Sequence, residues 1–178
     1  MRTLRLFMSS VQKEFATERA ALAAYLRGDP LLRRFFEPFV FEEVPAADRR
    51  ADEVYLDEVQ RCDVYVGLFG HEYGFEDAEG VSPTEREFDV ATRRRKHRLI
   101  FVKGADDRGR HPKMQALIRK AGSQLVRRRF GTTAELISAV YASLVDYLAA
   151  KELVRTGPFD TVVCRDATLD DLSEDKIL

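Results

Sequence analysis

The chain has 178 residues, 45% of them hydrophobic and 33% charged, with a formal net charge of −1, which suits one well-packed α/β domain plus a short extension and is cramped for two full domains. No run approaches the roughly 18 apolar residues needed to span a bilayer, and the Met1-Arg-Thr-Leu-Arg start lacks the apolar core of a secretory signal, so a cytoplasmic protein with no membrane partner is expected. Two distant cysteines, Cys62 and Cys164, and three scattered histidines, His71, His97 and His111, offer neither a disulfide framework nor zinc-ligand spacing, and no metal site is expected.

Residues 4–8 form a short apolar run, after which Val11, Phe15, Leu22 and Leu26 recur at helical spacing among Ala, Glu and Arg. Gly28-Asp29-Pro30 breaks that helix, residues 35–41 supply an aromatic and β-branched strand, and Pro45 begins a turn before a helix over 49–61. Residues 64–69 are apolar at consecutive positions, as in a central parallel strand covered on both faces, and 99–102 read the same way. Pro112 opens a helix carrying Met114, Leu117, Ile118 and Ala121 that Gly122 ends. Residues 124–128 read as a last strand. Leu136, Ile137, Val140, Tyr141, Leu144, Val145 and Leu148 then make a wide apolar stripe on a closing helix.

Five strands alternating with five helices imply a parallel sheet with right-handed crossovers, an α/β three-layer sandwich in the flavodoxin-like order 2-1-3-4-5. Residues 1–152 make up this domain. Residues 153–178 turn acidic, and Ser173-Glu174-Asp175 reads as a helix start cut short by Ile177-Leu178, so the tail is expected to link to a downstream domain. Charge is uneven elsewhere too. Residues 93–129 carry fourteen Lys and Arg against Asp106 and Asp107, a net +12 that leaves −13 for the rest. Such a segment is either an anion-binding surface or a solvated face neutralising the acidic half, and the second is favoured.

With order 2-1-3-4-5 the switch point lies between strands 1 and 3, and the loops that follow them hold Ser9-Ser10 and residues 70–81. Ser9 and Ser10 read either as N-caps of the first helix, with Gln12 as third-position partner, or as hydroxyls that hold a phosphate with the helix N–H groups. Gly70 and Gly74 permit turns, while Tyr73 and Phe75 are either loop anchors or a stacking surface for a base. Ser82-Pro83-Thr84-Glu85 fits a capping box, with Ser82 as N-cap and Glu85 returning to its backbone N–H. That leaves Glu87 free. It is either a solvent-facing residue favoured by the helix dipole or a carboxylate at the lip of a cleft, suited to N-glycosidic cleavage.

Phe7-Met-Ser9-Ser10 with Glu18-Arg19, Asp63-Val-Tyr-Val-Gly-Leu-Phe-Gly with Tyr73-Gly74, and Ser82-Pro-Thr-Glu-Arg-Glu87 together resemble a TIR-like domain of unknown function. That family stands at the N-terminus of multidomain bacterial proteins, some with a Schlafen/AlbA-like module and some with a STAND NTPase. The resemblance covers roughly residues 4–150. More distantly, Glu87-Phe-Asp-Val-Ala91 before Leu99-Ile-Phe-Val is similar to the Glu-x-x-x-Ala helix and next strand of nucleoside 2-deoxyribosyltransferases, and TIR-type NAD hydrolases also carry a glutamate on the helix after the third strand. These resemblances imply that Glu87 attacks or stabilises the ribose anomeric carbon while the base departs. The chain departs from them in lacking tryptophan, hence the Trp-Cys pair of many TIR domains, and in showing no matching second carboxylate.

The leading expectation is a nucleotide-binding effector or sensor domain of a bacterial defence or stress-response protein. It would cleave NAD or a related nucleotide as substrate, with no cofactor, through Glu87, and bind through Ser9, Ser10, Gly70, Tyr73, Gly74 and Ser82. The alternative is a non-catalytic module that forms a homo-oligomer or docks a partner through its charged faces. Direct nucleic-acid binding ranks last, because aromatic residues are sparse among the basic ones of 93–98 and 127–129.

Overall fold

β1 (Leu4–Ser10) and α1 (Ala16–Gly28) open the chain, and the 3-10 turn Leu32–Arg34 leads into β2 (Phe36–Phe39). α2 (Ala51–Arg61), β3 (Val64–Phe69), α3 (Pro83–Arg93), β4 (His97–Lys103), α4 (Pro112–Gly122), β5 (Arg127–Phe130) and α5 (Thr133–Ala150) follow. This computed structural model describes residues 2–41 and 51–154, without the side chains of 51–53. The expected turn at Pro45, Cys164 and the acidic tail from 155 lie outside the described residues. The described residues up to Ser143 form one compact unit and those from Leu144 to 154 belong to a second; in the second, Lys151 lies over the Tyr147 ring and Leu153 N–H returns to Leu148 O.

The sheet has five parallel strands in the order β2-β1-β3-β4-β5, the expected α/β flavodoxin-like topology with helices on both faces. Register explains which residues share a face. Ser9 pairs with Gly67 and Gly67 with Ile100, so Phe7, Ser9, Tyr65, Gly67, Phe69, Ile100 and Val102 project to one side. There Val59 of α2, Phe88 and Ala91 of α3, and Met114, Leu117 and Ile118 of α4 join one buried core with Phe7, Tyr65, Phe69, Ile100 and Val102. On the other side Phe15, just ahead of α1, meets Phe130, Lys103 reaches Glu18 at 2.6 Å, and Tyr25 meets Tyr141 of α5 edge-on. β3, buried at all six positions, is the central strand that its continuous apolar run predicted.

Boundaries moved where local hydrogen bonds outcompete the pattern. α1 begins at Ala16 because Glu14 and Phe15 N–H groups both turn back to Val11 O, making a separate turn of the residues before it. β5 begins at Arg127, later than the predicted 124, because Gln124 and Leu125 N–H groups close onto Ala121 O at the end of α4. β2 carries Pro38 at the sheet edge, where a missing N–H is tolerated. Among the described residues no helix is long and apolar enough to cross a membrane, and no group of three metal-ligating side chains occurs.

Candidate functional site

α3 is fixed at its start by Ser82, whose Oγ accepts Glu85 N–H at 3.3 Å, with Pro83 at the first helical position. From there Thr84, Glu87, Phe88 and Ala91, three or four residues apart, share the buried stripe. Glu87 is therefore turned to the sheet rather than to solvent, and is 5% exposed. Its Oε2 accepts the Ser9 hydroxyl at 2.5 Å. Burial pushes the Glu87 carboxyl up from 4.5 to about 7, against the opposing pull of the Ser9 hydrogen bond and the Arg19 charge.

The ground beside this pair is built from β3. Gly67 stands next to Ser9 in register, and a Cβ there would come within 2.9 Å of Ile100 Cδ1 and 3.1 Å of Tyr65 Cε1. Tyr65 lies between Phe7 and Phe88, fully buried, and among the described residues its hydroxyl has no hydrogen-bond partner. Burial first, and the Glu87 carboxylate second, push its phenol well above the usual range.

Ser9 and Ser10 are the last residues of β1 rather than caps of α1, whose N-cap position is Phe15 with no side-chain bond. Ser10 projects to the α1 face, where Arg19 donates to Met8 O at 2.8 Å and to Ser10 Oγ at 3.4 Å. The capping box is likewise altered. Glu85 does not return to Ser82 N–H; Tyr73 stands between them, its hydroxyl accepting Ser82 N–H at 3.3 Å and donating to Glu85 at 2.5 Å. Glu85 also holds Lys120 at 3.1 Å. The Tyr73 ring is buried and stacks on His111, whereas Phe75 stands out at 83% exposure. Gly74, at φ +89°, stands where a Cβ would meet Val11 and Ser82, so residues 70–81 bridge the turn before α1 to the start of α3. Asp77 ties the far end of this bridge to Arg86, a bond that is the main cause holding its carboxyl down to about 2.

Residues 5–145 match the family model described as a domain of unknown function, DUF4062. The chain belongs to that family. No curated protein matches it. Among solved structures it is similar to the CMP N-glycosidase BcmB of Clostridium botulinum, with a TM-score of 0.51 and 11% identity over 78% of this chain and 98% of that one. A conserved protein of Enterococcus faecalis V583 matches with a TM-score of 0.46 and 12% identity over 80% and 99% of the two chains. At 11% identity the likeness to BcmB is one of fold.

Within this DUF4062 domain the site residues read from sequence do not form one cluster. Ser9 and Glu87 touch each other. Ser82 and Tyr73 form a second, connected set at the start of α3, Gly70 and Gly74 shape the bridging segment, and Ser10 faces the opposite side of the sheet. Three further residues went unseen. Tyr65 was absorbed into an apolar run, although its register beside Phe7 brings it to the Glu87 face. Arg110 is 3% exposed and donates to Gly70 O, Lys103 O at 2.8 Å and Asp106 O at 3.1 Å, while pairing with Asp107 at 3.1 Å; it clamps the end of β3 to the end of β4. Glu14 lies against the backbone of residues 70–72. One sequence signal was available for the burial of Glu87: its spacing of three from Thr84 and four from Ala91 sets it on the apolar stripe of α3. The +12 segment is largely spent on internal contacts of this kind: Lys96 donates to Cys62 O, Arg98 lies over Phe88, Lys113 pairs with Glu76, and Arg127 donates to Ile118 O.

Proposed function

We propose that this DUF4062 domain cleaves the N-glycosidic bond of a nucleotide, with Glu87 acting on the anomeric carbon. One observation carries the reading: a carboxylate is buried beside Ser9 near the carboxyl end of β1, and it is at the carboxyl ends of their strands that open parallel sheets bind ligands. Burying a carboxyl costs free energy that an apolar residue of similar size would not, and a group so shifted that it titrates near neutrality is suited to chemistry. The likeness of the fold to that of a CMP N-glycosidase supports the same class of reaction.

In this scheme Ser9 holds Oε2 and leaves Oε1 to attack C1′. The C–N bonding pair departs with the base, and a glycosyl ester forms on Glu87; nicotinamide leaves its pyridinium as a neutral molecule, whereas cytosine takes a proton from solvent water as it leaves. Water then hydrolyses the ester, returning the carboxylate and releasing the ribose product. Ionised Glu87 is the reactive form, so activity rises with pH through about 7. At 5% exposure the carboxylate is reached only after its surroundings separate.

CMP and NAD both present a base on a ribose C1′. Purified protein incubated with each, assayed for free cytosine or nicotinamide, tests the proposal beside Glu87→Gln and Glu87→Ala. Release by wild type that both variants lose supports it; equal release by wild type and variants sinks the role of Glu87.

A further inference from the structure

At the end of β3 a carboxylate of the chain itself is lodged on the backbone. Glu14 Oε1 accepts His71 N–H at 2.7 Å and Oε2 accepts Glu72 N–H at 3.0 Å. Two consecutive N–H groups converging on a two-oxygen anion form a nest, an arrangement that binds phosphate as well as carboxylate. Gly70 makes the approach sterically feasible: a Cβ there would lie 2.1 Å from Glu14 Oε1 and 2.3 Å from Oε2.

The nest is also electrically primed. Gly70 O and His71 N–H belong to one peptide group, and buried Arg110 donates to that oxygen. A cation at the carbonyl end polarises the peptide, so that its N–H donates more strongly to an anion on the other side. The position is the carboxyl end of the central strand, beside the switch point between β1 and β3. Glu14 itself is partly exposed and belongs to the irregular turn before α1, so its side chain can leave without unwinding a helix.

We propose that the His71 and Glu72 N–H pair is the subsite for the phosphate monoester of a nucleotide, and that Glu14 occupies it as an internal competitor that the ligand displaces. The nucleotide identity of the ligand rests on the function proposed above; the existence of an anion site does not. A tethered carboxylate competes at an effective concentration in the millimolar range, so free phosphate binds wild type weakly and binds tightly only once that carboxylate is gone.

The test is amide NMR of the full chain at fixed ionic strength, titrating inorganic phosphate and, separately, CMP into wild type, Glu14→Ala and Glu14→Gln. The expected result is saturable movement of the His71 and Glu72 amide signals, with phosphate binding at least about tenfold tighter to both variants than to wild type. Adding Gly70→Ala to Glu14→Ala should abolish that movement by filling the cradle. His71 and Glu72 signals that ignore phosphate in Glu14→Gln, or that move with equal affinity in Glu14→Gln and wild type, overturn the proposal; the glutamine keeps the shape of Glu14, so a misfolded alanine variant does not shelter it. Phosphate binding without base release from CMP would keep the subsite and reject the cleavage reaction. Cleavage with no effect of phosphate on these amides would do the reverse.

Discussion

Replacing Glu87 by Gln should make the folded state less sensitive to pH. The Glu87 carboxyl is held at about 7 in the fold against an ordinary value of 4.5. Between those values the folded chain binds the proton more tightly than the unfolded chain, so the contribution of Glu87 is most favourable at low pH and is lost as pH rises through about 7. At about 1.4 kcal/mol per pK unit, the loss between pH 5 and pH 8 is about 2–3 kcal/mol. Glutamine is neutral throughout and can still accept the Ser9 hydroxyl, so the difference in stability between Glu87→Gln and wild type should grow by that amount over the same interval. The chain has no tryptophan, and urea denaturation followed by far-ultraviolet circular dichroism at both pH values gives the measurement. Comparing the two proteins cancels the titration of every other group. A difference that stays constant within about 0.5 kcal/mol from pH 5 to pH 8 would refute the claim that Glu87 is buried and neutral at the lower pH.

Ser9→Ala removes the hydrogen bond that favours the ionised carboxylate, so Glu87 should titrate still higher than in wild type; a carbon-13 titration of its carboxyl that does not move would discard the Ser9 contact. Tyr73→Phe leaves the buried Ser82 N–H without its acceptor and should cost about 1–3 kcal/mol in chemical denaturation, and a neutral result would mean that the Tyr73 bridge is not formed in solution. Gly67→Ala forces a methyl group against Ile100, Tyr65 and Phe69 and should lower stability by about 1–3 kcal/mol; unchanged denaturation would show that β3 has slack beside Ser9.

Much of the architecture was legible because parallel strands buried on both faces leave continuous apolar runs. Val64–Phe69 and the helix opened by Pro112 follow from such signals with little ambiguity. The start of α1 was misplaced because Val11 and Phe15 fit helical spacing equally well whether the intervening residues form a helix or an isolated turn. β5 was displaced because its exposed run Arg127-Arg128-Arg129 carries no strand periodicity. The capping box was right about Ser82 and wrong about Glu85, since a tyrosine nine residues upstream in sequence took the N–H that local chemistry had reserved for the glutamate. From sequence Glu87 reads either as a solvent-facing helix residue or as a carboxylate at the lip of a cleft; its burial against the sheet follows instead from its place on one stripe with Thr84 and Ala91.

By itself, the sequence determined the strand and helix alternation, the parallel sheet and the identity of its central strand, because these depend on periodicity and on where apolar residues must be covered. It also marked Ser9 and Glu87, through their places after one strand and on the helix after another. Only the tertiary structure decided that the two meet, at a sequence separation of 78 residues, that the meeting point is dry enough to move a carboxyl toward neutrality, and that Glu14 and Arg110 grip one segment of backbone from two sides. Such contacts join residues far apart in the chain, and their chemistry is set by strand register, exclusion of water and the direction of single hydrogen bonds, none of which a one-dimensional pattern records.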